Sequence, residues 1–354
     1  HREFAMARRE SKKGIGHKEF EIELNEKITI EEDLARRDLT INAMAKEVLT
    51  GKIIDPYGGM EDIRAHQLKA IGPQFMEDPL RIYRVARFAS NLEFKIDQYT
   101  KTYMKDMVDE LHYLSKERVC EEFRKALKSK KPSIFFEVLR KVDALNIHFK
   151  EIQDLIGSIQ PEKYHPEGDS YIHTMQVLDK ASEKTKEEKI RFSALVHDLG
   201  KGTTPKEMYP HHYGHDERGV KLVENLGEKI GVPKEWIDCG KTAAKEHMLG
   251  GIFLKMSPAK QVSFLERVRH SKIGLEGLQI VVDSDREGRG SYTGTIEEMK
   301  NSQFLIIGLQ CFKQVNADTI RKKYGKVEGK RFGEYLHQER IQWIKENIDK
   351  RECL

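Results

Sequence analysis

Half of the chain's 14 histidines, His165, His173, His197, His211, His212, His215 and His247, fall between positions 165 and 247. Neutral imidazoles and carboxylates together suit a divalent transition metal, and such an ion can activate water for attack on phosphorus. A His-Asp dipeptide occurs twice, at His197-Asp198 and His215-Asp216, so the dipeptide alone selects neither. Context separates them. The apolar run Phe192-Ser193-Ala194-Leu195-Val196 leads into His197-Asp198 and Leu199-Gly200-Lys201-Gly202 follows, which puts two adjacent ligands at the end of a buried helix. His173, in a helix-like run from Tyr171 to Leu178, and Asp285, after Ile280-Val281-Val282, complete an ordered His, His-Asp, Asp set. Helix-capping and core histidines are the bland reading, and for His211, His212 and His215 the two readings stand level.

The ordered set resembles the HD phosphohydrolase superfamily, an all-helical fold. That resemblance implies that His173, His197, Asp198 and Asp285 hold one divalent transition metal such as Ni2+, leaving positions open for water and a substrate phosphate. His197 and Asp198 would then be catalytic, with Lys201, His215 and His247 contacting phosphate or transferring protons. Asp283 is a rival two residues away; Asp285 is preferred because Asp285-Arg286-Glu287-Gly288-Arg289 matches the family's Asp-x-x-Gly-Arg pattern.

Two other segments pair arginine with carboxylate at helical spacing, Asp33 to Ala43 and Glu77 to Phe88. In the second, Asp78, Arg81 and Arg84 step by three along one face while Leu80, Val85 and Phe88 can pack. Such an edge offers acceptors and fork-like donors to a nucleobase, and Arg36 or Arg84 could instead neutralise a triphosphate. Intrahelical salt bridges are the competing reading of either segment alone. Taken with Ile53-Ile54-Asp55-Pro56-Tyr57-Gly58-Gly59, His165 to Thr174 and His197 to Pro205, in this order over nearly the whole chain, they resemble the class II tRNA nucleotidyltransferases (CCA-adding enzymes) and their poly(A) polymerase relatives.

The resemblance implies a nucleotide site in which Arg36, Arg81 and Arg84 bind CTP or ATP and Asp78 with Arg81 templates the incoming base. A basic segment, Arg118 to Lys131, would belong to a helical neck that holds the tRNA acceptor end. The HD set implies added 2',3'-cyclic phosphodiesterase, 2'-nucleotidase and phosphatase activities, and it favours CCA addition because poly(A) polymerases usually lack that domain. The family's Gly-Gly-x-x-Arg-Asp loop and Asp-x-Asp pair, which serve Mg2+-dependent transfer, do not occur here. Glu3 sits where the family places a further acidic strand residue, and one carboxylate cannot replace three. The expectation is an N-terminally truncated transferase with an incomplete Mg2+ site, little or no CCA addition and an active HD domain. The alternatives are an RNA-binding HD phosphohydrolase without transferase activity, or a poly(A) polymerase.

The elements that must position these residues follow from pattern. At 354 residues the chain predicts two or three domains. The expected fold is mainly α with a small α+β beginning: an incomplete palm over 1–72, a helical neck over 73–164, an all-helical HD domain over 165–290 and a helical segment over 291–354. Short strands are predicted at Glu3 to Ala7, Phe20 to Leu24, Lys52 to Asp55 and Leu68 to Ile71, with a helix from Thr29 carrying Leu34, Ile41, Ala45 and Val48 on one face. Helix starts are signalled at Asp78-Pro79, Ser115, Ser257-Pro258 and Thr295-x-x-Glu298, a linker at Pro161 to Gly168, and a glycine-rich break at Asp285 to Gly294.

No apolar run is long enough to span a membrane, and no signal peptide pattern opens the chain. Four scattered cysteines fit a reducing cytoplasm. The net charge of +4 is only mildly basic, so RNA contact must come from local clusters such as Arg118 to Lys131 and Arg321 to Arg331. Nothing in the sequence decides between a monomer and a homodimer.

Overall fold

The alternating apolar and charged residues of β2 (Phe20–Leu24) form a strand that pairs antiparallel with the polar β1 (Arg8–Lys12), Arg8 lying opposite Leu24. The computed structural model describes residues 6–12, 20–25, 27–290 and 295–348. The first strand therefore lies just after the predicted one, most of which, with Glu3, is outside the described residues. The chain divides into two units, His1–Gln153 with Lys229–Gly231, and Asp154–Glu228 with Val232–Leu354.

In the first unit, Thr29 and Glu32 form the expected capping box on α1 (Ile30–Ala35). The helix is much shorter than its sequence periodicity suggests. It stops at Arg36, a 3-10 turn covers Thr40–Asn42, and Ala45–Lys46 is β3, paired with β4 (Ile53–Ile54). Tertiary bonds override the periodicity: Thr40 donates its N–H to Lys69 O and its hydroxyl to Asp62 Oδ2, and Val48 is left 93% exposed. α2 (Gly59–Arg64) follows, then β5 (Gln67–Leu68), which runs parallel to β6 (Lys95–Ile96).

A helical layer completes this unit: α3 (Leu80–Leu92), α4 (Gln98–Asp106), α5 (Lys116–Leu127, N-capped at Ser115), α6 (Ser133–Lys141) and α7 (Leu145–Gln153). Asp78 lies outside α3 in an extended conformation, accepting the Leu80 N–H at 3.0 Å, so it does not share a helical face with Arg81 and Arg84 as its spacing suggested. Tyr83, Phe123, Phe135, Phe136 and Phe149 are buried in one aromatic cluster, with ring centroids 5.3–6.4 Å apart, that clamps α3 against α5 and α6. Such pairs add about 0.5–1.5 kcal/mol each beyond their buried area.

The second unit is helical: α8 (Ser170–Lys184), α9 (Glu188–Val196), α10 (His215–Ile230), α11 (Lys234–Gly251), α12 (Pro258–His270), α13 (Gly274–Glu287), α14 (Ile296–Asn301), α15 (Phe304–Gln314), α16 (Ala317–Tyr324) and α17 (Gly329–Asn347). Its described residues contain no strand, only a bridge between Ile159 and Asp169. Phe304, Cys311, Ile341 and Ile344 of the last helices share a core with Phe253, Phe264 and Val281. Asp285 belongs to the last turn of α13, not to the predicted break, because the apolar periodicity of Leu278, Val281 and Val282 carries the helix past it. No helix is long and apolar enough to cross a membrane among the described residues.

A titratable group is half-buried beneath the arginine-bearing helix. His148 of α7 meets the Tyr83 hydroxyl at 2.7 Å, and burial, reinforced by Lys229 and His112, pushes its pKa down to about 4. The unfolded chain, with an ordinary value near 6.5, takes up the proton first, so stability present above that pH is lost as the pH falls toward 4. Allowing for partial exposure, the loss is on the order of 2 kcal/mol. Thermal melting at pH 7 and pH 5 should show this drop, and His148→Gln should flatten it; an equal slope in the variant would contradict the assignment.

Candidate metal centre and nucleotide cleft

Two glycines let the metal-type residues converge. A side chain at Gly200 would sit 1.9 Å from the carbonyl oxygen of His215, and one at Gly288 would sit 2.6 Å from Val177 Cγ2 and 2.8 Å from Val177 N. Only glycine allows the turn after Asp198 to lie against the start of α10, and the end of α13 to lie against α8. The first approach brings His215 to Asp198, the second Asp285 to His173.

Each histidine commits one ring nitrogen to a fixed acceptor. His197 donates from Nδ1 to Ala194 O at 2.8 Å, His215 to His212 O at 2.8 Å, His247 to Ala243 O and Ala244 O at 3.0 Å, and His173 to Glu167 Oε1 at 2.8 Å with Gly288 O at 3.2 Å. This fixes the tautomer and turns every Nε2 toward two carboxylates. His173 Nε2 lies 3.0 Å from Asp285 Oδ1, His197 Nε2 lies 3.2 Å from Asp198 Oδ2, and His215 and His247 Nε2 both lie 3.3 Å from Asp198 Oδ1. The four rings and Asp198 are all nearly inaccessible.

Lone pairs facing lone pairs need positive charge between them. His197 Nε2, His215 Nε2 and Asp198 Oδ1 are buried without a hydrogen bond, although their neighbours are close. Burial works against charge on Asp198, yet His197 and Lys201 hold its pKa well below the ordinary carboxylate range; at Asp285 burial is likewise outweighed by Arg289 and His173. Against burial, Asp285 and Glu167 raise the pKa of His173. The orphaned atoms and mixed imidazole-carboxylate donors fit a divalent ion, and His173, His197 and Asp285, or His197, Asp198 and His247, converge closely enough to hold one.

The predicted set is therefore brought together, with His215 and His247 as near to Asp198 as His197 is. Lys201 Nζ is anchored between Asp198 Oδ2 at 2.5 Å and Gln160 Oε1 at 2.6 Å. His212 instead bonds Thr204 Oγ1 and Ile159 O, and His211 stacks on Tyr213. Sequence reasoning missed Glu167, because Pro161 to Gly168 reads as a linker. Its Oε1 accepts from both His165 Nδ1 and His173 Nδ1, and despite burial these bonds hold its pKa down to about 2. The available signal was His165 itself, which counted among the clustered histidines.

In the first unit, Arg36, Asp78, Arg81 and Arg84 line one cleft of about 570 Å³ together with Arg8, Arg37, Arg118 and Asp38. Six arginines against two carboxylates make it an anion site. Arg84 Nε bonds Asp38 Oδ2 at 2.6 Å, and Arg118 bonds Asp78 Oδ2 at 2.8 Å. Burial opposes charge on Asp38, but Arg84 outweighs it and lowers the pKa. Arg81 is turned inward, donating to Gln74 O and Arg36 O at 2.5 Å, while Arg36 pairs with Asp33. Elsewhere in the basic segment, Lys125 pairs with Glu121 and Lys131 with Glu93.

Comparison with known proteins agrees with this division. Family models match at residues 2–69 (Poly A polymerase head domain), 93–156 (Probable RNA and SrmB- binding site of polymerase A) and 170–271 (HD domain). The multifunctional CCA protein of Nitrosococcus oceani is 40% identical over 353 residues, covering 98% of this chain and 85% of that protein. The chain belongs to the multifunctional CCA protein family. The protein of that name from Legionella pneumophila is 39% identical, covering 96% of this chain and 83% of its own. Among solved structures, a CCA-adding enzyme in apo form II superposes with a TM-score of 0.62 at 20% identity, covering 99% of this chain and 74% of that one. A CCA-adding enzyme with CTP gives 0.60 at 19% identity, covering 91% and 70%. These two likenesses establish the shared fold.

Because Glu167 fixes the tautomer of a candidate ligand, Glu167→Ala should weaken Ni2+ binding by roughly 10–100-fold in a chelator competition. Unchanged affinity would remove Glu167 from the centre.

Proposed function

We propose that this protein serves tRNA 3'-end maturation and repair in the cytoplasm, its first unit supplying the nucleotide- and tRNA-binding residues for untemplated CCA addition from CTP and ATP but, within this sequence, no Asp-x-Asp pair for the transfer itself, and that its second unit is a metal-dependent hydrolase of 2',3'-cyclic phosphodiesters, 2'-nucleotides and other phosphomonoesters. The domains are those of palm, neck, HD and C-terminal segment at the boundaries given above. The observation that carries the reading is the presence in one chain of an arginine-rich anion cleft and a buried imidazole-carboxylate centre.

In the cleft, Arg36 and Arg84 bind the triphosphate. Asp78 and Arg81 face the base, with Arg81 exchanging its carbonyl partners for it. Family membership supports both roles, and the basic segment Arg118 to Lys131, which begins on α5 and runs just past its end, faces the acceptor end. Asp38 and Asp78 are each paired with arginine, so they do not form an open carboxylate pair for Mg2+, and no transfer step is assigned to them. In the second unit, His173, His197, Asp198 and Asp285 would hold a divalent transition metal. Such an ion supplies Lewis acidity and charge neutralisation for attack of water on phosphorus. Lys201 orients Asp198 and brings a cation to the phosphate, while Nε2 of His215 or His247 accepts a proton.

Two measurements test the halves separately. CTP and ATP should bind the protein with comparable affinity, and Arg84→Ala should weaken both at least tenfold; undetectable binding of either nucleotide would overturn the cleft assignment. Metal-loaded protein should hydrolyse 2',3'-cyclic AMP, with a loss of more than about 100-fold in His197→Ala. Unchanged turnover in that variant would overturn the hydrolase assignment.

A further inference from the structure

Neither the arginine cleft nor the imidazole-carboxylate centre uses the second basic run of the sequence. Between Arg321 and Arg331 the chain carries six cations and one carboxylate, Glu328, while the whole chain has a net charge of only +4. The run covers the last turn of α16, the turn that follows and the first turn of α17. Arg321 and Lys326 line a hollow of about 460 Å³ with Gly329 and Phe332, and Lys330 and Arg331 follow directly on Gly329.

The turn that carries these charges is fastened in place. The Tyr324 and Tyr335 rings lie parallel, with centroids 4.3 Å apart and planes at 3°, which ties the end of α16 to α17. Glu339 adds a second fastening, accepting from Lys323 Nζ and from the Tyr324 hydroxyl at 2.7 Å each. Positive φ at Gly325 and Gly329 permits the reversal between them.

The needs of the fold account for only part of the charge. Arg321, Lys322 and Lys323 stand in the last turn of α16, where cations favour the helix dipole. Lys330 and Arg331 stand in the first turn of α17, where cations oppose it and no acidic residue offsets them. Lys330 is 93% exposed and only 3.9 Å from Glu334, a pairing that solvent makes nearly worthless. Lys322, Lys326 and Arg331 form no ion pair among the described residues. An ordered turn that gathers unneutralised charge against local preference suits an anionic partner.

We propose that the turn between α16 and α17 is an RNA-backbone contact site, where Lys322, Lys326, Lys330 and Arg331 neutralise phosphates of a double-helical stem. The inference rests on the tRNA reading of the whole protein and adds an RNA contact in the second unit. A stem is favoured over single-stranded RNA because the turn spends its exposed ring: Tyr324 has one face against Tyr335 and its hydroxyl on Glu339. What the turn offers is charge, which reads phosphate and not base.

Fluorescence anisotropy with a blunt-ended RNA stem-loop, lacking any 3' overhang, tests this over a potassium chloride series. The triple variant Lys322→Gln, Lys326→Gln, Lys330→Gln should weaken binding at least tenfold and lower the salt slope by about two to three, roughly one for each lost phosphate contact. Arginine at the same three positions should restore both. A control with the same loss of charge elsewhere on the second unit, Lys180→Gln, Lys221→Gln, Lys234→Gln, should leave the slope nearly unchanged. Equal effects in the two glutamine triples, or an unchanged slope in the first, would overturn the site. Tighter turn-dependent binding of poly-glutamate than of the stem-loop would overturn it in favour of an acidic protein partner. CTP and ATP binding in the same preparations reports on the cleft alone: turn-dependent stem-loop binding without nucleotide binding would overturn the cleft assignment and leave this site standing.

Discussion

Four imidazoles with Nδ1 held by fixed acceptors, and Nε2 turned toward Asp198 and Asp285, are the constraint on which the second unit depends. Placing two carboxylates and four rings out of water costs several kcal/mol per charge unless each is matched by an opposite charge or hydrogen bond. The match comes in layers. Lys201 neutralises part of Asp198, Arg289 approaches Asp285 at 3.8 Å, and Glu167 secures the far side of His173. What remains is a set of lone pairs that a divalent cation satisfies, so affinity for an ion and order within the helices are coupled.

The packing serves that arrangement. α8, α9, α11 and α13 each contribute a ligand or end beside one, and the core that includes Val177, Ala194, Ala243 and Val281 holds their backbones in register. The glycines at 200 and 288 set how near those backbones come. The first unit obeys the same rule with different residues: Asp38 is buried because Arg84 meets it, and the aromatic cluster around Tyr83 holds α3 so that Arg84 stays in the cleft.

Much of this was legible in the sequence, where the chemistry was local. The apolar run before His197-Asp198, the Thr29 and Thr295 capping boxes and the Ser257-Pro258 helix start all depend on neighbours within a few residues, and each forms as expected. The misses have a common cause in contacts between distant segments. The helix from Thr29 ends early because Thr40 bonds Lys69 and Asp62; Asp78 leaves the helical face because it caps Leu80 and meets Arg118. Glu167 looked like linker because its partner His173 is reached only after the chain turns. Spacing predicts which residues share a helix, but not where their side chains find charge.

The central claim is that the inward-turned imidazoles and carboxylates form a cation site. Equilibrium dialysis against micromolar Ni2+, followed by metal analysis of the wild type, Asp198→Asn and Asp285→Asn, tests it most directly. The account predicts about one tightly held ion per chain in the wild type and its loss in both variants, with the helical fold retained by circular dichroism. A wild type that holds no ion, or variants that hold as much as the wild type, would contradict it.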